Sequence, residues 1–134
     1  MKQHSTNYFN TFIEVAANTK AVCGVAPPVR QNRTIAERQY SLISAQPYQF
    51  TSDEILFQIY ADRNDLGESE YLPARDLFFS KGQACLRASP LTKNYGFGVH
   101  FDHMGRVAIY GMETEAYENF LKDQQLVKVR AMRS

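Results

Sequence analysis

Tryptophan is absent, and cysteine occurs only twice, at Cys23 and Cys85. Two thiols without a CxxC spacing exclude a disulfide framework. Charge of one sign is lacking as well: 15 basic residues against 14 acidic leave a net charge of +1. Such a balance steers the chain toward neither nucleic acid nor an anionic membrane. No apolar run approaches the roughly 18–20 residues that span a bilayer. The first ten residues, Met1-Lys-Gln-His-Ser-Thr-Asn-Tyr-Phe-Asn10, lack the apolar core of a signal peptide. Together these absences predict a reduced, cytoplasmic, soluble protein in which a Cys23–Cys85 bridge is not expected.

What is present is the material of one ordinary domain. The chain has 134 residues, 44% of them hydrophobic and 22% charged, and its 8 Tyr and 9 Phe supply bulky core side chains. Residues 8–16 alternate and are rich in β-formers, which predicts a first strand. The Pro27-Pro28 pair makes residues 18–33 an extended crossing loop. Thr34-Ile-Ala-Glu37 and Thr51-Ser-Asp-Glu54 both have the form of a capping box. The first opens a helix to about Gln46. The second favours a helix to about Arg63, although Ile55, Phe57, Ile59 and Ala61 also alternate as a strand would. A third helix is expected over residues 69–81, and strands over 84–88, 95–102 and 106–112. Thr114 caps a short helix through Leu121, and residues 127–131 alternate as a final strand. The expectation is a single α+β domain spanning 1–134, with a mainly antiparallel sheet of about five strands and helices packed on one face.

Strands 95–102 and 106–112 read as a hairpin turning at Asp102-His-Met-Gly105. With three loop residues, His100 lies opposite Ala108, Gly98 opposite Tyr110 and Gly96 opposite Met112. One strand face then holds only Gly96, Gly98 and His100, with Tyr110 across the bare backbone of Gly98. A face without side chains invites close approach by something else. If strand 84–88 pairs alongside, Arg87 and Ser89 come near His100. These six residues form a candidate pocket for a small polar or anionic ligand: Arg87 as a fork for carboxylate or phosphate, Ser89 and Tyr110 as hydrogen-bonding partners, His100 as base or donor. The competing reading is the ordinary solvent face of a half-buried sheet. An enzyme using His100 as general acid or base, with Asp102 as its local partner, is the alternative function. A homo-oligomeric interaction module using exposed aromatics is a third.

Other chemistry finds less support. His100-Phe-Asp-His103 offers three metal-ligand types, but a strand puts His100 and Asp102 on one side while His103 lies in the turn. Cys85 beside Arg87 matches no nucleophile signature, and Ser89 and Lys93 miss the S-x-x-K spacing. Gly96-Phe-Gly98 lacks the third glycine and following helix of a phosphate loop. No cofactor and no metal is expected.

Several longer strings carry a resemblance. They are Asn10-Thr-Phe-Ile-Glu-Val-Ala16, Tyr48-Gln-Phe-Thr-Ser-Asp53, Arg63-Asn-Asp65, Phe79-Ser-Lys-Gly-Gln83, Cys85-Leu-Arg-Ala-Ser-Pro-Leu-Thr-Lys93, Tyr95-Gly96 and the closing Ala131-Met-Arg-Ser134. In this order they resemble a family of small microbial single-domain proteins labelled only as a domain of unknown function. The resemblance spans nearly the whole chain. It implies a single-domain protein of cytoplasmic type and assigns no activity, ligand or catalytic residue.

Overall fold

The computed structural model describes residues 2–134. In chain order the elements are β1 (Thr11–Glu14), α1 (Ile35–Ala45), α2 (Ser52–Arg63), α3 (Glu68–Phe78), a 3-10 turn (Leu86–Ala88), α4 (Pro90–Lys93), β2 (Phe97–Phe101), β3 (Val107–Gly111), α5 (Glu115–Lys122) and β4 (Val127–Arg130). Four strands make one mixed sheet in the order β3-β2-β1-β4. β1 pairs antiparallel with β2 and parallel with β4. The α+β class is as expected; the count of about five, mainly antiparallel strands is corrected to four in a mixed sheet.

The strand that is missing is 84–88. Capping chemistry overrides its β-forming residues. Ser89 Oγ accepts from Leu91 N at 3.1 Å, Pro90 takes the first helical position, and Thr92 Oγ1 donates to Leu86 O at 3.0 Å. Leu86 and Leu91 are thereby turned together into the core. Elsewhere the caps act as the sequence suggests. Thr51 Oγ1 accepts from Glu54 N while Glu54 reaches back to Thr51 N at 2.9 Å, which settles residues 52–63 as helix. At Thr34 only half the box forms, because the Glu37 carboxylate is taken by Arg33 and Ser41.

β1 lies at the centre, and both of its faces are covered. Ile13 joins Val99, Phe101 and Val107 against Ile43 of α1 and Ile55 and Ile59 of α2. Phe12, on the opposite face, packs with Val15 and Tyr117, flanked by Phe120 and Leu121 of α5. Helices therefore cover both sheet faces, not one. A third cluster, Phe57, Ala61 and Phe79, joins α2 to the α3 region.

The second face explains Gly98. A methyl group at that position would stand 2.5 Å from Phe12 Cζ and 2.6 Å from Tyr117 Cε2. Glycine is required because two aromatic rings use the space. Gly98→Ala should therefore lose about 1–3 kcal/mol in urea unfolding, the usual cost of overpacking a core. Gly82→Ala, which meets no atom within 4 Å, should stay within about 0.5 kcal/mol of wild type. Equal stability for both variants would contradict this packing.

Candidate functional site

The hairpin register is the expected one: His100 pairs with Ala108 and Gly98 with Tyr110, and Met112 N donates to Gly96 O at 2.9 Å. Asp102 Oδ1 accepts from Met104 N and Arg106 N, each at 2.9 Å, and so holds the turn. What lies over the glycines differs from expectation. Phe12 and Tyr117, rather than Tyr110, are the side chains nearest Gly98, and Gly96 rests against the Cys23 carbonyl. The bare face contains no open space above Gly98.

His100 belongs to a closed polar network. Its Nδ1 lies 2.8 Å from the Tyr48 hydroxyl, which lies 2.8 Å from the Tyr110 hydroxyl. The imidazole stacks on Phe120 with centroids 4.3 Å apart and planes 16° off parallel. Burial pushes the His100 pKa below its ordinary value, against the opposing pull of the Asp102 and Asp123 carboxylates. Burial and the neighbouring Tyr110 push the Tyr48 phenol far up. At neutral pH the imidazole is neutral and the Tyr48 phenol keeps its proton, so Tyr48 can donate to Nδ1 and accept from Tyr110. Tyr48 holds a left-handed φ of +60°, and its N–H donates to Val107 O at 2.8 Å. Such a backbone costs on the order of 1–3 kcal/mol unless its surroundings fix it. The titratable group in hydrogen-bond reach of His100 is thus Tyr48; Asp102 is occupied by the turn.

Arg87 stands apart from this network. It sits on the 3-10 turn and is tied to the β4 side of the sheet. Its Nε donates to Arg130 O and its carbonyl accepts from Met132 N, both at 2.8 Å. Nearby, the Tyr8 hydroxyl lies 3.6 Å from Cys85 Sγ. Burial and Cys85 raise the Tyr8 pKa, and Arg87 works against that rise. Among the described residues no group of three His, Cys, Asp or Glu side chains is placed to hold a metal ion.

Ser89 leads elsewhere. Its Oγ donates to Gln39 Oε1 at 2.5 Å. The same Oγ accepts from Leu91 N, and its proton goes to the carboxamide oxygen of Gln39. Gln39 is only 4% exposed. Gln39 also lines a cavity beside α2. That cavity, about 190 Å³, has walls of Ile35, Leu56, Ile59, Tyr60 and Phe78, with Arg63, Asn64 and Gln83 as further polar groups. A second hollow of about 140 Å³, lined by Arg33, Arg38 and Asp62, adjoins it across Ile59, and there Arg38 Nε is buried without a partner.

Of the six residues singled out in the sequence, the fold joins His100 and Tyr110 through Tyr48, packs Gly98 under Phe12 and Tyr117 and Gly96 against the Cys23 carbonyl, and places Arg87 and Ser89 away from that network. Gln39 and Arg63 were not singled out. A signal for Gln39 did exist: Ile35, Gln39 and Ile43 are spaced by four, so a carboxamide sits on the apolar stripe of α1.

The His100 shift has a sign that can be measured. An unfolded chain takes up a proton near pH 6.5 that the folded chain resists. This residue therefore leaves stability untouched above about pH 6.5, and destabilises progressively as pH falls from there toward the depressed folded value. Urea unfolding at pH 7.5, 6 and 5 should show wild type losing stability relative to His100→Gln as pH falls. Parallel losses in both proteins would contradict a buried, neutral imidazole.

No helix among the described residues is long and apolar enough to cross a membrane. No curated protein matches the chain, and no solved structure does. Residues 3–134 match the model of a family of unknown function, DUF6157. The chain, covered almost from end to end, belongs to that family.

Proposed function

We propose that this chain is a binding domain for a small organic acid with an apolar body, held in the cavity between α1, α2 and the end of α3. The observation that carries this reading is the Gln39 amide. The Gln39 carboxamide, its oxygen bonded by Ser89, lines a pocket whose walls are mostly apolar, with Arg63, Asn64 and Gln83 as its other polar groups. Few polar groups in an apolar lining is the ordinary make-up of a small-molecule site. At about 190 Å³ the space exceeds an apolar cavity of about 150 Å³ known to hold benzene. It suits a ring or branched chain bearing one acidic group. Arg63, at the end of α2, supplies the positive charge for that group.

Binding is favoured over catalysis because the lining contains no Ser, Cys, His, Asp or Glu. The groups that look reactive in the sequence, His100 and Tyr110, bond to Tyr48 on another part of the sheet. Of the six residues expected to hold a ligand, Ser89 carries over, as the residue that orients Gln39.

Calorimetric titration with benzoate, phenylacetate and 3-methylbutanoate tests the reading, with benzamide as the uncharged counterpart. Benzoate needs only about 0.5 kcal/mol per heavy atom for a Kd near 1 mM, well below the ceiling of about 1.5 for very small ligands. At least one acid should saturate in the millimolar range or better. Arg63→Ala should weaken it about tenfold or more, as loss of a charge-assisted hydrogen bond does. Ser89→Ala should weaken it less, by releasing the Gln39 rotamer. Acids that fail to saturate, or that bind Arg63→Ala and Gln39→Met as tightly as wild type, would overturn the proposal.

A further inference from the structure

β3 is an outer strand, with β2 on one side only. In an antiparallel pair, hydrogen-bonding direction alternates along each strand. Asp102 N donates to Arg106 O and Met112 N to Gly96 O, so Ala108 and Tyr110 turn their main-chain groups toward β2. Val107, Ile109 and Gly111 turn theirs outward. The chain itself meets the first of these: Val107 N donates to Phe50 O at 2.9 Å, and Val107 O accepts from Tyr48 N at 2.8 Å. Pro47, lacking an N–H, ends that cover. The Gly111 carbonyl accepts from Thr114. Among the described residues, the N–H and C=O of Ile109 have no partner.

These two groups open on a groove of about 320 Å³ between the strand and α1, whose walls include Tyr40, Ile43, Ser44, Pro47, Phe97 and Tyr110. We infer that this groove takes a short extended peptide segment of a partner protein, which adds to the β3 edge beside Ile109. Three observations point to a peptide. One residue offering both a donor and an acceptor is matched by another main chain, whereas an anion would satisfy only the donor. The adjoining position on the same edge is already filled by a main-chain segment, residues 48–50 of this chain, so the peptide continues an existing pairing. Finally, β3 lacks two of the usual guards of an open edge, charged side chains and proline. Its sequence, Val-Ala-Ile-Tyr-Gly, has no charge and no proline. β4, the other outer strand, carries Lys128 and Arg130, and Arg87 bonds to its end.

The groove has two ends. Pro47 stands at one, and the loop at Gly24 approaches Gly111 at the other. The span from Val107 to Gly111 is about 14 Å at strand rise. The segment that fits is therefore about three to four residues long, with an apolar side chain toward Tyr40 and Ile43.

Phage-displayed random seven-residue peptides selected on the whole protein supply the probe, and a fluorescent copy of the best sequence reports affinity by polarisation. Ser44 is exposed, and its hydroxyl only back-bonds to Tyr40 O. Ser44→Trp should fill the groove, weaken the peptide about tenfold or more, and leave the melting temperature unchanged. N-methylation of the peptide's central amide should weaken it similarly, and exchange of the Ile109 amide should slow at least tenfold in the complex. A library that yields no binder, or a binder indifferent to Ser44→Trp and to N-methylation, would overturn the inference. So would a free protein that sediments as a dimer with the Ile109 amide already protected, since a second copy would then fill the edge.

Discussion

The packing of Phe12 and Tyr117 onto the bare backbone of Gly98 is the contact on which the rest of the molecule depends. It brings α5 onto the sheet, and with it Phe120, on which His100 stacks. Tyr117 also accepts from Val15 N at 3.0 Å, so the helix is pinned by a hydrogen bond as well as by apolar contact. With one sheet face closed in this way and the other closed by α1 and α2, β1 is buried on both sides. That strand offers neither face to a ligand. The Gln39 cavity lies instead between helices.

Much of the fold was legible because local chemistry decides it. The hairpin register follows from a three-residue turn held by Asp102, and the helix at residues 52–63 from a complete capping box that outweighs the alternation of its buried residues. Residues 84–88 depart from the expected strand for the same reason in reverse. Cys85 through Ala88 suit a strand, yet Ser89, Pro90 and Thr92 impose a helical turn through main-chain bonds that a periodicity count does not weigh. The parallel β1–β4 pairing depends on contacts between residues more than a hundred apart, for which no local signal exists.

The site was less legible than the fold. Glycines at alternate strand positions reveal that something approaches the backbone, but a ligand and a neighbouring ring leave the same trace. Here the approaching groups are Phe12 and Tyr117. His100 and Tyr110 likewise stand near each other as the register requires, but Tyr48 arrives from a distant loop and satisfies both. Arg87 is drawn to β4 by the turn that replaced its expected strand. Gln39 was marked only by being polar on an apolar stripe. Its meaning depends on Ser89, 50 residues away, whose hydroxyl bonds to the carboxamide oxygen.

The orientation of that carboxamide is the centre of the functional account, and nuclear magnetic resonance reads it directly. In protein labelled with nitrogen-15, the Gln39 side-chain amide is followed while benzoate is added. The expected result is a saturable shift of both Gln39 amide protons, in step with the Arg63 Nε signal, and contacts from those protons to the ligand ring. Benzoate that saturates while the Gln39 amide signals stay fixed would show that the amide does not face the ligand, and the account would be wrong at its core.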